Sequence, residues 1–254
     1  MCLARPKPIV CAAFCLRPGH RMGCGALTAG IAALHLTAGG TPTTIIGTEV
    51  PFYPYTQVDE AGEITGLDRD IADEVCLRAD LKCAWIATQF DQLIPGLHTG
   101  AYDIIMGGIA ITDARRQRVD FTLPYMESGS SSSYLGRPGA PAIDDATTAV
   151  QSGTIQEQHL SDTGRRYIAL PNEAAVIDGL VQGRADLALG AFNSATTDRL
   201  IAEEGYDFLY SEDIFDDGTA MAVCKGNADL LEKLDAALQA MIDDGTLDEI
   251  SAQW

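Results

Sequence analysis

Basic side chains are scarce in this chain, and their scarcity excludes one class of partner. Seventeen lysines and arginines stand against 36 aspartates and glutamates, which gives a formal charge of −19 over 254 residues. Nucleic-acid binding needs a basic face that neutralises phosphates, and anionic membrane surfaces also attract basic segments. We therefore expect no nucleic-acid partner and no docking on a lipid surface.

Groups that carry catalysis or bind metals are also few. The chain has four histidines, and only His98 and His159 lie beyond residue 38. The sequence contains no grouping typical of nucleophilic catalysis, no phosphate-binding glycine loop and no zinc-ligand spacing. It therefore predicts no cofactor, no metal and no enzymatic activity.

Acidic residues are absent from the first 38 positions. Four of the 17 basic residues lie there, and all 36 acids lie beyond. A short apolar run and small residues near position 38 follow, which is typical of a secretory signal. We predict a cleaved leader over residues 1–38 and a periplasmic protein. The alternatives are a disordered extension or a true start at Met22.

Three cysteines lie beyond the leader. Cys76 ends a helical pattern and Cys83 opens a strand pattern, so the turn between them can bring the two residues within bridging distance. We predict a Cys76–Cys83 disulfide, which would contribute roughly 2–3 kcal/mol for a loop of this size. Two reduced thiols are the alternative, favoured only in a reducing compartment. Cys224 is expected as a small apolar strand residue.

Short apolar runs alternate with helical patterns past the leader, which indicates an α/β fold. Strands are predicted at residues 44–47, 83–86 and 103–106. Helices are predicted around residues 67–75, 93–99 and 230–242, where apolar residues recur at helical spacing. The segment from Tyr134 through Pro141 is predicted as a loop.

A stretch of the chain occurs twice. Residues 94–108 align without gaps on residues 177–191, and both read Ile-x-Gly-Leu-x-x-Gly-x-x-Asp before an apolar strand. The copies end at Gly108 and Ala191, where a small residue lets a ligand approach the backbone at the carboxyl end of a strand. The repeat predicts two similar lobes, formed by residues 39–129 with 222–254 and by residues 130–221, the second range including the crossings.

Several ordered motifs carry a resemblance to a known family. They lie at residues 46–49 (Ile-Gly-Thr-Glu), 51–55 (Pro-Phe-Tyr-Pro-Tyr), 66–72 (Gly-Leu-Asp-Arg-Asp-Ile-Ala), 111–116 (Ile-Thr-Asp-Ala-Arg-Arg), 151–157 (Gln-Ser-Gly-Thr-Ile-Gln-Glu) and 243–247 (Asp-Asp-Gly-Thr-Leu). From about Thr44 to Trp254 the chain resembles the polar amino-acid class of extracellular solute-binding proteins, which serve ABC importers. The resemblance implies a fold of the type II periplasmic-binding-protein kind, with two α/β lobes joined by two hinge strands and a ligand cleft between them. It also implies a monomer whose partner is a membrane permease.

The resemblance also implies how a ligand would be held. Arg115 matches the arginine that clamps the α-carboxylate, and a guanidinium suits this because it donates two parallel charge-assisted hydrogen bonds. Without the motif, Arg115 would be assigned to an exposed basic group with its neighbours. Thr154, Ile155 and Gln156 open a helix in the second lobe, and its free backbone N–H groups would complete the carboxylate site.

Three further positions match the part of the family site that meets the ligand's side chain. Phe52 and Phe90 correspond to the platforms that sandwich it, although either could instead belong to the core. Glu49 matches an acid that meets a cationic ligand end in some relatives, although acids are frequent at such positions in any case. Asp68 and Asp70 are expected to cap and flank the first helix.

Two positions depart from the family pattern. Relatives hold the ligand's α-ammonium with an aspartate and a hydroxyl residue, where this chain has Ala191 and Ala110. A buried ammonium without an anionic partner is costly. We therefore expect either another acid, with Glu127 as a candidate, or a ligand that is a carboxylate without a free α-amine, and we favour the second option.

The sequence thus predicts a periplasmic solute-binding receptor of an ABC importer, whose ligand is an amino acid or a related small carboxylate. The alternative is a cleft enzyme of the same fold, a dehydratase acting on a small carboxylic acid. Such an enzyme would need an acid or base placed in the cleft.

Overall fold

A computed structural model describes residues 42–127, 131–192, 195–214 and 216–254, so the predicted leader lies outside the described residues. The strands are β1 (Thr43–Thr48), β2 (Gln57–Val58), β3 (Ile64–Thr65), β4 (Lys82–Ala87), β5 (Ile104–Ile105), β6 (Val119–Phe121), β7 (Ser131–Gly136), β8 (Thr147–Gln151), β9 (Arg166–Leu170), β10 (Leu187–Gly190), β11 (Asp207–Asp213) and β12 (Ala222–Cys224). The helices are α1 (Leu67–Arg78), α2 (Leu93–Thr99), α3 (Asp113–Arg116), α4 (Ile155–Asp162), α5 (Glu173–Val181), α6 (Ala195–Glu204), α7 (Ala228–Asp243) and α8 (Thr246–Ser251).

Two five-stranded sheets have the same design. The first has the order β4-β1-β5-β12-β6 and the second the order β9-β8-β10-β7-β11. In each sheet the first three strands are parallel, and the fourth and fifth join by antiparallel pairing. We call each sheet with its packed helices a lobe. The predicted repeat is confirmed at this level, because α2 and β5 occupy the same places as α5 and β10.

Each lobe buries apolar side chains on both faces of its sheet, as parallel strands covered by helices require. In the first lobe, Ile71, Val75 and Leu238 of the helices α1 and α7 pack on one face. Leu93 and Leu97 of α2 pack on the other face. The second lobe repeats the arrangement with two apolar clusters of its own.

The loop predicted over residues 134–141 is wrong in its first part. Tyr134 was expected to begin the loop, yet Ser131–Gly136 forms β7, and the irregular segment begins only at residue 137. The strand pairs with β10 on one side and β11 on the other, so its backbone groups are satisfied within the sheet. Tyr134 is fully buried there, and its hydroxyl donates a 2.6 Å hydrogen bond to Glu212. Burial and pairing on both edges outweigh the loop preference of small polar residues.

The other predicted elements agree with the structure, although β5 is two residues shorter than predicted. Cys76 and Cys83 form the predicted disulfide, which ties the end of α1 to the start of β4. Cys224 lies in β12, as expected. Helix α7 has the predicted apolar stripe, with Leu234, Leu238 and Met241 buried.

None of the helices in the described ranges combines the length and the apolar content needed to cross a membrane.

Candidate ligand-binding cleft

A cavity of about 150 Å³ lies between the two lobes. Its walls include the residues that follow β1 and β5 in the first lobe, and the ends of β8 and β10 in the second. Because β1 pairs in parallel with β5, and β8 with β10, these ends meet at one edge of each sheet. Open α/β sheets bind ligands at this edge.

The structure brings all the residues predicted for the site to this one cavity. They are Glu49, Phe52, Phe90, Gly108, Ala110 and Arg115 from the first lobe, and Thr154, Ile155, Gln156 and Ala191 from the second.

Arg115 extends from the first lobe to the second. Thr112 caps α3 by accepting the backbone N–H of Arg115, which fixes where the side chain begins. Arg115 is 9% exposed, and its guanidinium donates hydrogen bonds to the carbonyl oxygens of Ala110, at 2.8 Å, and of Gly153 across the cleft, at 3.0 Å. Burial lowers its pKa to about 10, so the group remains a cation at neutral pH. Arg115 is therefore a desolvated positive charge at the cavity wall.

Glu49 also connects the two lobes. It lies immediately after β1 and is 6% exposed. The Gln151 amide, at the end of β8, donates to both of its carboxylate oxygens at 2.8 and 2.7 Å. Burial nevertheless raises the pKa of Glu49 to about 7, because these bonds only partly offset desolvation. A cation in the cavity would favour the charged form.

Aromatic rings form part of the first-lobe wall. Phe52 stacks on Tyr55 with ring centroids 5.1 Å apart. Gly108 lies against this stack with φ +62, where a Cβ atom would come within 2.7 Å of the Phe52 ring, so the position requires glycine. Phe90 lies 5.4 Å beneath the Arg115 guanidinium, a cation–π arrangement that holds the cation in place.

The second-lobe wall includes the start of α4. Thr154 caps the helix by accepting the Glu157 N–H, and its hydroxyl donates to the Gln151 carbonyl oxygen at 2.7 Å. Glu157 in turn accepts the Gly153 N–H at 2.7 Å. This reciprocal capping fixes the helix start, whose first N–H groups have no intrahelical partner and can bind an anion.

The two alanines that depart from the family pattern line the cavity, and neither brings charge to it. Glu127, the acid considered as a substitute, is exposed and is not part of the described wall. Three other acids do line the cavity, namely Glu49, Glu173 and Asp216.

Several wall residues were missed by the sequence analysis. Gln151 and Tyr55 lie inside quoted motifs, which could have signalled a role. Thr219 also lines the cavity, and no sequence signal distinguishes it from a core residue. Neither His98 nor His159 lines it; His98 contacts the Arg118 carbonyl oxygen and His159 contacts Glu212.

Asp68 supports the wall from behind, so the expectation that it caps α1 is wrong. The N-cap position is Gly66, with no side-chain cap. Asp68 is fully buried and accepts hydrogen bonds from the Gly108 N–H at 3.1 Å and the Tyr125 hydroxyl at 2.8 Å. It thereby holds the glycine turn that lines the cavity.

Comparison with known proteins gives consistent matches. The model of the family described as bacterial extracellular solute-binding proteins, family 3, matches residues 44–254. The lysine/arginine/ornithine-binding periplasmic protein of Escherichia coli K12 is 30% identical over 243 residues, which cover 90% of this chain and 94% of that protein.

Two solved structures extend these matches. A periplasmic His/Glu/Gln/Arg/opine family-binding protein from Silicibacter pomeroyi, in complex with lysine, is similar with a TM-score of 0.75 and 30% identity, covering 83% of this chain and 96% of that one. An ancestral amino acid-binding protein described as a precursor of cyclohexadienyl dehydratase is similar with a TM-score of 0.66 and 29% identity, covering 84% of this chain and 94% of that one.

Proposed function

The chain belongs to family 3 of the bacterial extracellular solute-binding proteins, and from this premise we propose that it is the periplasmic receptor of an ABC importer for a cationic amino acid. The fold is that of the type II periplasmic binding proteins. The proposed partners are the ligand and a membrane permease, and the proposed state is a monomer without a cofactor.

The observation that carries the proposal is the placement of Arg115. A buried guanidinium that reaches a carbonyl oxygen on each side of the cleft suits a carboxylate, which would replace these weaker acceptors with a charge-assisted pair. The capped start of α4 faces the same space from the second lobe. A carboxylate held by both groups would favour the closed arrangement of the lobes, because only that arrangement lets both touch it.

The charges of the wall support a ligand with positive groups. Glu49, Glu173 and Asp216 outnumber Arg115, so a bound monoanion would leave the wall with excess negative charge. Glu49 beside the Phe52 and Phe90 rings suits the cationic end of a long side chain. An amine-free carboxylate, which Ala110 and Ala191 favour, remains the competing prediction.

A dehydratase-like enzyme is the second candidate, and one observation favours it. The pKa of Glu49 lies at about 7, which is the range that a general base needs at neutral pH. Glu49 is already engaged by Gln151 through both oxygens, however, which suits fixed electrostatic pairing better than proton transfer.

The proposed function is tested by titrating the protein with lysine, arginine, ornithine, histidine, glutamine and glutamate, together with amine-free analogues. Isothermal titration should give the tightest binding for a cationic amino acid, and mass spectrometry should recover that ligand unchanged. Tighter binding of the amine-free carboxylates would contradict the proposed ligand class. Conversion of a bound carboxylic acid would establish the enzyme instead.

A further inference from the structure

The segment that returns from the second lobe runs beside the loop that precedes Arg115. The Ile111 N–H donates to the Gly218 carbonyl oxygen at 2.8 Å, and the Asp217 N–H donates to the Ile111 carbonyl oxygen at 3.0 Å. Thr219 forms a β-bridge with Ala110. Asp216 therefore lies one residue beyond this pairing, in the cavity wall that also contains Ala110 and Arg115.

The Asp216 carboxylate has a fixed direction and remaining acceptor capacity. It is partly buried and lines the cavity. Its Oδ1 atom accepts the Gly218 N–H at 2.8 Å, which holds the side chain over its own turn. Within the described residues Oδ2 accepts no hydrogen bond, and a carboxylate oxygen can accept more than one donor.

The electrostatics agree with this placement. Burial lowers the pKa of Arg115, and the negative charge of Asp216 acts in the opposite direction. The charge of Glu173 instead acts on Glu49, where it adds to the raised pKa. Asp216 is thus the wall acid whose charge acts on Arg115.

An α-amino acid carries its carboxylate and its ammonium on the same carbon, so their two partners must lie close together. Asp216 is the wall acid whose segment pairs with the loop that leads to Arg115, and the alanines at positions 110 and 191 bring no charge to the ammonium. We propose that Asp216 accepts the ligand's α-ammonium and replaces the aspartate that relatives carry at position 191. This inference rests on the proposed function and identifies a residue that determines specificity for the free amine.

The test compares arginine with 5-guanidinopentanoate, the same molecule without its α-amine, in isothermal titrations at pH 8. Asp216→Asn retains the shape and an oxygen that can accept the Gly218 N–H. We expect arginine to bind about 10–100-fold more weakly to this variant, the range for losing a charge-assisted hydrogen bond. The affinity for 5-guanidinopentanoate should change less than about threefold.

Asp217→Asn is the matched control, because it removes the same charge one residue further on. Asp217 is 66% exposed and pairs with Arg116 at the surface. Its variant should retain the preference for arginine. The double variant Asp216→Asn/Ala191→Asp should recover part of that preference by returning an acid to the family position.

The outcomes separate this inference from the proposed function. If wild-type protein binds arginine and Asp216→Asn keeps the full preference, or loses both ligands equally, Asp216 is not the ammonium acceptor although the receptor stands. If wild-type protein binds 5-guanidinopentanoate as tightly as arginine, the inference is also wrong. Binding of neither arginine nor lysine, nor of their amine-free analogues, overturns the proposed ligand class and the inference with it.

Discussion

The two walls of the cleft differ in kind. The first-lobe wall, formed by Glu49, Phe52, Phe90 and Arg115, offers buried charges and aromatic rings. The second-lobe wall offers the capped start of α4, the apolar Ile155 and Ala191, and the polar side chains of Gln151, Gln156 and Glu173.

We infer from this difference that the two lobes contribute different kinds of contact to ligand binding. We expect the side chains that distinguish one ligand from another to be Glu49 and the aromatic rings of the first lobe, together with Asp216 on the segment that returns from the second lobe. The start of α4 contributes backbone groups that any carboxylate can use. We therefore expect substitutions in the first-lobe wall or at Asp216 to change which ligand binds, and substitutions at the start of α4 to weaken all ligands by a similar factor.

The largest effect is expected at Arg115. Arg115→Ala should weaken arginine binding at least about 100-fold, because two charge-assisted hydrogen bonds of about 1.5–3 kcal/mol each are lost. Isothermal titration measures this directly. Arg116→Ala is the control, since Arg116 is exposed and pairs with Asp217 outside the cavity. Normal affinity in the Arg115 variant would mean that Arg115 does not hold the ligand's carboxylate.

The next effect is a change of ligand at Glu49. Glu49→Gln should weaken arginine binding about 10–100-fold while leaving citrulline, its neutral isostere, within about threefold. Competition titration with the two ligands measures the ratio. Asp91→Asn is the matched control, because Asp91 acts on Glu49 electrostatically without lining the cavity. An equal loss of affinity for arginine and citrulline would mean that Glu49 supports closure of the two lobes and does not select the ligand.

A smaller effect is expected from pH. Because burial raises the pKa of Glu49 to about 7, the carboxylate must lose a proton before it pairs with a cation. Arginine affinity should therefore fall about tenfold between pH 8 and pH 6, following the ionised fraction, and Glu49→Gln should flatten the profile. A steep profile in that variant would assign the titration to another group.

The same raised pKa affects the free energy of unfolding in the unliganded protein. The folded state holds the Glu49 proton more tightly than the unfolded chain, whose ordinary value is 4.5. The resulting stabilisation is complete below that value and is lost as the pH rises through about 7. Thermal denaturation between pH 4 and pH 8 should therefore show that wild type loses more stability than Glu49→Gln as the pH rises.

The smallest effect is expected on the second-lobe wall. Thr154→Ala removes the N-cap of α4, which typically costs about 1 kcal/mol of stability. Only the part of this cost that is repaid when a ligand orders the helix start affects binding, so affinity should fall by no more than about fivefold, for every ligand alike. Thr154→Ser keeps the capping oxygen and serves as the control. Calorimetry with arginine, citrulline and 5-guanidinopentanoate measures the three losses. Unequal losses would mean that this wall also discriminates between ligands.

Much of the fold could be predicted because its signals are local. The spacing of Leu67, Ile71 and Val75 predicts α1, and the duplicated stretch at residues 94–108 and 177–191 predicts two sheets of one design. The residues predicted for the site were found through motifs that keep their order along the chain. These motifs mark strand ends and helix starts, and those ends form the walls of the cavity.

The rest could not be predicted because it depends on contacts distant in sequence. Tyr134 lies in a strand because β10 and β11 flank it, and neither is near it in the chain. Asp68 faces inward because Gly108 and Tyr125 lie behind the cleft. Asp216 was missed for the same reason, since the loop at residues 110–111 that pairs with its segment precedes it by about a hundred residues.

The position of β12 has a consequence for how the protein is made. This strand lies between β5 and β6 in the middle of the first sheet, although the whole second lobe separates it from them in the chain. The second sheet is continuous in sequence and can assemble from one stretch of emerging polypeptide. The first sheet must wait for its last strand, and such delayed pairing slows folding. We expect the first sheet to stay incompletely paired until β12 has been synthesised.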